Sequence, residues 1–134
     1  MSSQNAALIR RFEQCWARRD LDAALECAHP EMEFDWSDST GPFRGTYRGH
    51  EQLVRFWTEM WDAWDEFGPH SEDLIECGPE RVVAVTVVRA RGKGSGIEIE
   101  ARAAMLWTVR EGKILKGKLF QTKEEALEAA LRSD

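Results

Sequence analysis

One segment, His50–Phe67, carries its apolar residues at a spacing that is typical of an α-helix. They fall at i, i+3, i+4, i+7, i+8 and i+11: Leu53, Phe56, Trp57, Met60, Trp61 and Trp64. An apolar stripe this wide and this aromatic must be buried against another layer of the protein. Gly68 and Pro69 follow, and they predict the end of the helix.

The second half of the chain predicts the strands of that other layer. Most of these segments are rich in Val, Ile or Leu, and two turns containing glycine, 92–96 and 111–112, separate the longest of them. The predicted strands are Asp73–Cys77, Arg81–Arg91, Ile97–Arg110 and Lys113–Gln121. An earlier segment, Met32–Ser37, alternates apolar and polar residues and predicts a first strand.

Helical spacing also appears near both ends of the chain. It predicts helices over Asn5–Arg18, Leu21–Ala28 and Lys123–Arg132, while glycines and a proline predict a long loop over Asp38–Gly49.

The order of the predicted helices and strands indicates an α+β fold, in which a curved antiparallel or mixed sheet wraps around helices to form a cone. The open end of a cone is a natural small-molecule cavity. At 134 residues we expect one domain over residues 1–134.

Composition and missing motifs exclude several classes of function. The formal net charge of −6 gives no attraction for nucleic acid. No apolar run approaches the roughly 20 residues of a membrane span, and Met1–Leu8 lacks a secretory signal pattern. The three cysteines have no CxxC spacing and predict reduced thiols in a cytoplasmic protein. No nucleotide-binding or metal-ligand motif is present, so we expect neither a cofactor nor a metal.

The strand Arg81–Arg91 is fairly apolar on both faces. Val83, Val85 and Val87 alternate with Ala84, Thr86 and Val88. Because one face packs against the helices, the other predicts a homodimer through the outside of the sheet.

Several short motifs are distributed over nearly the whole chain, from about Leu8 to Leu131. They are His29–Asp35 (HPEMEFD), Gly45–Glu51 (GTYRGHE), Gly94–Glu100 (GSGIEIE), Leu106–Ile114 (LWTVREGKI) and Lys123–Ala130 (KEEALEAA). With them the chain resembles the SnoaL-like branch of the nuclear transport factor 2-like superfamily, which includes the ketosteroid isomerases. This resemblance implies the cone fold. It says little about function, because the superfamily hosts several chemistries and non-catalytic modules.

The resemblance to ketosteroid isomerases places their general base at Asp35. Their two oxyanion donors fall on Phe12 and near Ala104, which cannot donate a side-chain hydrogen bond. Losing one such donor costs a factor on the order of 100 to 1000 in rate, so efficient steroid isomerisation is not expected. The catalytic triad of limonene epoxide hydrolases is also absent, since its positions fall on Thr86, Ala84 and about Thr122.

Three residues are the candidates for catalysis. Asp35 is the candidate base, and burial in an aromatic cavity would raise its pKa toward neutral pH, although a nearby Arg102 would oppose that shift. Tyr47, the only tyrosine, or Arg102 would stabilise developing charge. The resemblance places Glu100 and Arg102 on the cavity face, as a polar floor or as a structural ion pair. The alternative is that both lie on the surface.

The candidate ligand-binding residues are Trp36, Trp57, Trp61, Glu100 and Gln121. Aromatic rings favour flat apolar ligands, although most tryptophans at helical or strand spacing are core residues. Two functions of the protein remain open, and both involve a small hydrophobic molecule. One is cofactor-free acid–base catalysis of the isomerase, cyclase or dehydratase type. The other is a non-catalytic ligand-binding or accessory module.

Overall fold

The computed structural model describes residues 2–39 and 43–132 of the chain. Within them, four helices and six strands follow in the order α1 Ser2–Ala17, α2 Leu21–Glu26, β1 Ala28–Asp35, β2 Thr46–Arg48, α3 Gly49–Ala63, β3 Trp64–Glu76, β4 Arg81–Gly92, β5 Glu98–Arg110, β6 Lys113–Phe120 and α4 Lys123–Leu131.

The six strands form one sheet in the spatial order β2-β1-β6-β5-β4-β3. β1 and β6 are parallel, and every other neighbouring pair is antiparallel. The predicted α+β class is therefore confirmed, with a mixed sheet that curls around α1 and α3.

Helix α3 buries all residues of the predicted stripe except Trp64 and ends four residues earlier than the sequence predicted. Its cap, Trp64, is already extended, and β3 runs from Trp64 through Gly68 and Pro69 to Glu76. Pro69 lies opposite Val88 of β4. Proline cannot donate a ladder hydrogen bond, but β3 is the edge strand, where none is needed on the open side. The glycine-proline pair therefore does not end the helix.

Two other boundaries differ from the prediction. β1 begins at Ala28, so it includes residues predicted to close the second helix and to precede the strand. The loop predicted over Asp38–Gly49 contains β2, which pairs with β1. Residues 40–42 of that predicted loop lie outside the described part of the chain.

The main core lies between the inner face of the sheet and helices α1 and α3. Its centre is aromatic: Phe12 of α1 contacts Trp57 of α3 and Trp107 of β5, each with ring centroids 5.6 Å apart. Phe34 of β1 meets Trp107 edge-on at 5.9 Å. These rings hold helices and sheet in a fixed relative position and form the base of a cavity.

The outer face of the sheet is partly covered by the chain's own last helix. Ala126 and Ala130 of α4 pack against Val83 of β4 and against Ala104 and Leu106 of β5. A capping box between Thr122 and Glu125 fixes the start of α4. Part of the apolar outer surface that predicted a dimer is therefore buried within the monomer, and the dimer stays a prediction.

Candidate functional site

A cavity of about 330 Å³ lies between the inner face of the sheet and the two long helices. This volume is near the lower end of the roughly 300–1,000 Å³ that small-molecule sites occupy. Among the described residues, eight aromatic ones line it: Phe12, Trp16, Phe34, Trp36, Phe43, Trp57, Trp64 and Trp107. Aliphatic side chains of β4, β5 and β6 complete the walls, so the cavity favours an apolar ligand with rings.

One buried carboxylate, Glu13 of α1, interrupts this apolar lining. Its side chain is only 6% exposed. The backbone N–H of Ser71 donates to Glu13 Oε1 over 3.3 Å, and the Ser71 hydroxyl donates to Glu13 Oε2. Ser71 Oγ lies 3.3 Å from Oγ1 of Thr86, its register partner on β4. Glu13, Ser71 and Thr86 thus form a buried polar chain, of which Glu13 and Thr86 reach the cavity.

Burial raises the pKa of Glu13 above its ordinary value of 4.5. The hydrogen bonds from Ser71 and the charges of Arg10 and His70 offset this effect only in part. A carboxyl whose pKa is raised by desolvation can exchange a proton closer to neutral pH than an exposed one. Glu13 therefore has the properties that the sequence analysis assigned to Asp35.

Sequence reasoning missed Glu13, although a signal was present. Glu13 lies four residues after Ile9 and three before Trp16, and both of these are buried in the core. A carboxylate on the apolar stripe of an amphipathic helix needs a buried polar partner. That partner, Ser71, is 58 residues away in the sequence and could not be identified from helical spacing.

Asp35 lies on the opposite face of the sheet from the cavity, so the expectation that it faces inward is wrong. Its neighbours Phe34 and Trp36 line the cavity, and a strand turns successive side chains to opposite faces. Burial raises the pKa of Asp35, but hydrogen bonds from Ser37 and Lys118 outweigh it and bring the pKa to about 2. The expected raised pKa is therefore also wrong: burial is the largest single influence on this carboxyl group, but the hydrogen bonds and the charge of Lys118 together outweigh it.

Glu100 points away from the interior, which corrects its placement on the cavity face, whereas Arg102 lies at the cavity wall with its guanidinium turned outward. The inner side of β5 carries Ala101 and Ala103 instead. Arg102 contributes to the cavity wall, but its guanidinium pairs with Glu72 and its side chain is 62% exposed. Glu100 pairs with Arg89 at 2.9 Å on the surface. For Glu100 the surface alternative of the sequence analysis is the one observed, while Arg102 combines a place in the cavity wall with a surface ion pair.

Tyr47 stacks on Phe56 with ring centroids 3.9 Å apart and an interplanar angle of 9°. Its hydroxyl donates to the carbonyl of Phe43 over 3.1 Å. Burial raises the pKa of Tyr47 above its ordinary value of 10.0, and the charge of Glu59 adds to this effect. Tyr47 is not among the residues that line the cavity, and its contacts are those of a packing residue.

The remaining candidates divide between cavity and core. Trp36, Trp57 and Gln121 line the cavity. The side-chain amide of Gln121 donates to the carbonyl of Asp38 over 2.6 Å and so ties the loop after β1 to the end of β6. Trp61 instead packs against Trp16, with ring centroids 5.3 Å apart, and does not reach the cavity.

Three of the lining tryptophans carry indole N–H groups without a hydrogen-bond partner among the described residues. They belong to Trp36, Trp57 and Trp107. Each of these nitrogens exposes less than 1 Å² of surface. A ligand in the cavity would therefore meet the carbon surfaces of these rings rather than their donors.

Within residues 2–39 and 43–132, no group of three or more His, Cys, Asp or Glu is arranged to hold a metal ion. No helix in the same ranges is long and apolar enough to cross a membrane. All three cysteines are free, and burial raises the pKa of the Cys27 thiol, which makes it less reactive.

Comparison with known proteins adds a family and a set of similar folds. Residues 9–116 match the SnoaL-like domain family. No curated protein matches the chain.

Among solved structures, TerC, crystallised with polyporic acid, is 20% identical over 96% of this chain and 99% of its own, with a TM-score of 0.76. A Mycobacterium tuberculosis protein in complex with estradiol-17β-hemisuccinate is 14% identical over 89% and 94% of the two chains, with a TM-score of 0.76. A nuclear transport factor 2-like protein from Burkholderia pseudomallei is 19% identical over 96% and 98%, with a TM-score of 0.75. The resemblance to this superfamily is confirmed.

Proposed function

The chain belongs to the SnoaL-like domain family, and we propose that it binds a small, largely apolar molecule containing rings in the cavity between α1, α3 and the sheet. The observation that carries this proposal is the composition of the cavity wall. Among the described residues, eight aromatic ones surround about 330 Å³, and the buried acidic residue Glu13 lines the same space. Such a site binds by apolar contact and orients its ligand through one polar group.

The crystallised relatives support the proposal at the level of ligand class. TerC holds polyporic acid, and the Mycobacterium tuberculosis protein holds estradiol-17β-hemisuccinate. Both molecules are small and largely apolar. We extend to this chain only that general character.

A cofactor-free acid–base reaction on the bound molecule is the second candidate function. Glu13 favours it, because a carboxyl with a raised pKa can accept and return a proton closer to neutral pH than an exposed one. We assign this role to Glu13 rather than to Asp35, whose pKa of about 2 makes it a weak base. The reaction would be an isomerisation, cyclisation or dehydration, since each needs only proton transfer.

Tryptophan fluorescence tests the binding proposal directly, because five tryptophans of the described residues line the cavity and report its occupation. We would titrate the protein with apolar ketones, steroids, terpenoids and aromatic polyketides. Saturable quenching by one class is the expected result, and no response to any class would contradict the proposal. Ligands that bind then enter turnover assays with Glu13→Gln and Asp35→Asn. Loss of turnover in Glu13→Gln alone is expected if the protein is an acid–base enzyme, and binding without turnover indicates a carrier or accessory module.

We further propose a homodimer through the part of the outer face that α4 leaves open, where Val85 is only partly buried. Light scattering of the purified protein at several concentrations tests it, and a monomeric mass throughout would contradict it. We propose a reducing, cytoplasmic setting from the three free cysteines.

A further inference from the structure

Glu13 is a buried acid whose hydrogen bonds both come from a neutral residue, Ser71. Its side chain is 6% exposed, and no Lys, Arg or His nitrogen of the described residues forms an ion pair with it. Arg10, whose charge also lowers the pKa of Glu13, donates to the backbone carbonyl of Ser71 rather than to the carboxylate. Buried charges in proteins are usually paired, and the carboxylate of Glu13 has no ion-pair partner among the described residues.

What Glu13 lacks is charge rather than hydrogen bonds. Each of its two oxygens already accepts a hydrogen bond from Ser71, one from the backbone and one from the hydroxyl. A ligand hydroxyl would add a further hydrogen bond to oxygens that are already bonded. A ligand cation would add a positive charge, and its attraction to the carboxylate is strong because the site is buried away from water.

The rest of the cavity also suits a cation. Aromatic rings are the apolar surfaces that interact most favourably with organic ammonium groups, and they form most of the wall. In the part of the chain that the structure describes, one basic residue contributes to the wall, Arg102, and its guanidinium pairs with Glu72 toward the outside. Among the described residues, the side chains that reach the cavity therefore offer one negative group and no free positive one, which disfavours anionic ligands.

We propose that the ligand of this cavity is a lipophilic amine, whose ring system fills the aromatic part and whose ammonium group pairs with the carboxylate of Glu13. This inference rests on the proposed function and names the ligand class. Binding of the amine also affects the protonation of Glu13. Where Glu13 is protonated in the free protein, the arriving ammonium forms the ion pair as the carboxyl group releases its proton to the buffer.

The experiment compares three molecules that share one ring system and differ in charge. They are 4-phenylbenzylamine, 4-phenylbenzyl alcohol and 4-phenylbenzoate, titrated by calorimetry into the intact protein at neutral pH. We expect the amine to bind about tenfold or more tightly than the alcohol, and the benzoate to bind weakest. At pH values where Glu13 is protonated in the free protein, the heat of amine binding should depend on the ionisation enthalpy of the buffer, whereas the heat of alcohol binding should not.

Glu13→Gln is the matched variant, because the amide keeps the shape of the side chain and removes its charge. It should bring the affinity for the amine down to that for the alcohol and leave the alcohol within about a factor of three. The affinity of the wild-type protein for the amine should also rise with pH as Glu13 loses its proton. Arg10 on α1 and His70 on β3 lie near Glu13, and the pH series is therefore repeated on His70→Gln.

The outcomes separate the two proposals. If none of the three molecules binds, and the wider apolar panel also fails, the proposed function is overturned. If amine and alcohol bind equally, or the alcohol binds more tightly, the cavity binds apolar ligands but the amine inference is wrong. The comparison on the wild-type protein decides this even if Glu13→Gln fails to fold.

Discussion

Lys118 Nζ lies 3.1 Å from Asp35 Oδ2, across the only parallel pair of strands among the described residues. Ser37 holds the same carboxylate through its backbone N–H and its hydroxyl. The carboxylate therefore fastens β1 to β6 on the outside of the sheet, behind the cavity that Phe34 and Trp36 line.

Asp35→Asn should destabilise the protein by about 1–2 kcal/mol at neutral pH, because it removes a half-buried ion pair and weakens the hydrogen bonds from Ser37. Urea unfolding measures this loss. The control is Glu128→Gln, which breaks the exposed pair with Arg132 and should cost less than about 0.5 kcal/mol. Equal losses in both variants would contradict a structural role for Asp35.

The pH dependence of that loss has a definite sign. The pKa of Asp35 falls from an ordinary 3.8 to about 2 on folding, so its stabilisation is present above pH 3.8 and disappears as the pH falls toward 2. The difference in unfolding free energy between wild type and Asp35→Asn should therefore shrink over that interval. A constant difference between pH 5 and pH 2 would be inconsistent with the lowered pKa.

Glu13 should change the pH dependence of stability in the opposite direction. Its pKa in the folded protein is raised above the ordinary 4.5, so the folded state holds this proton more tightly than the unfolded state. The resulting stabilisation is complete below pH 4.5 and is lost as the pH rises through the pKa of the folded state. The stability of Glu13→Gln relative to wild type should therefore increase with pH when urea midpoints are measured from pH 4 to pH 8. Glu33→Gln, at a carboxyl whose pKa is lowered mainly by a hydrogen bond from Arg48, should lack this increase.

Gly117 of β6 is expected to tolerate no side chain. A Cβ there would lie 2.8 Å from Cε3 of Trp107, a ring in the cavity wall. Gly117→Ala should cost about 1–3 kcal/mol and shift the tryptophan emission, because the ring must move. Gly68→Ala is the matched control: its new methyl group would lie 3.9 Å from Ala17 Cβ, an ordinary contact, and should change stability by less than about 1 kcal/mol. Equal effects of both substitutions would show that the ring of Trp107 can move aside without a loss of stability.

The tryptophans should differ in their effect on ligand affinity. Trp36 lines the cavity and is only partly buried, so Trp36→Leu should weaken binding of an apolar ligand about fivefold to tenfold while the protein stays folded. Trp61→Phe, at a ring that packs on Trp16 outside the cavity, should leave the affinity within about a factor of two. Calorimetric titration of both variants with one ligand provides the comparison. A larger loss in Trp61→Phe would contradict the assignment of the cavity wall.

Much of the fold could be predicted because periodicity is a local property. The stripe of α3 and the valine-rich β4 were recognisable from neighbouring residues alone. The end of α3 was not, because whether Gly68 and Pro69 stop a helix or continue a strand depends on β3 being an edge strand. That position is a property of the whole sheet.

The site was harder to predict, because the resemblance to other proteins, rather than the alternation of polar and apolar residues, decided which side chains of β1 and β5 face the cavity. In β5 the charges of Glu98, Glu100 and Arg102 alternate with Ile99 and small apolar residues, which already indicates that the charges face outward. In β1, Asp35 alternates with two aromatic residues in the same way. The partner of Glu13 comes from a strand 58 residues away and only the folded sheet could reveal it.

The parallel pairing of β1 with β6 also determines the order in which the molecule can assemble. Asp35 and Lys118 are 83 residues apart, and the strands between them connect only sequential neighbours. A growing chain therefore produces both cavity helices and five of the six strands before β1 can join the rest of the sheet. Contacts of such long sequence separation slow folding, since a large loop must close before they form. Until β6 is available, the aromatic face of α3 has only part of the sheet to cover it, and the cavity is one of the last features to form.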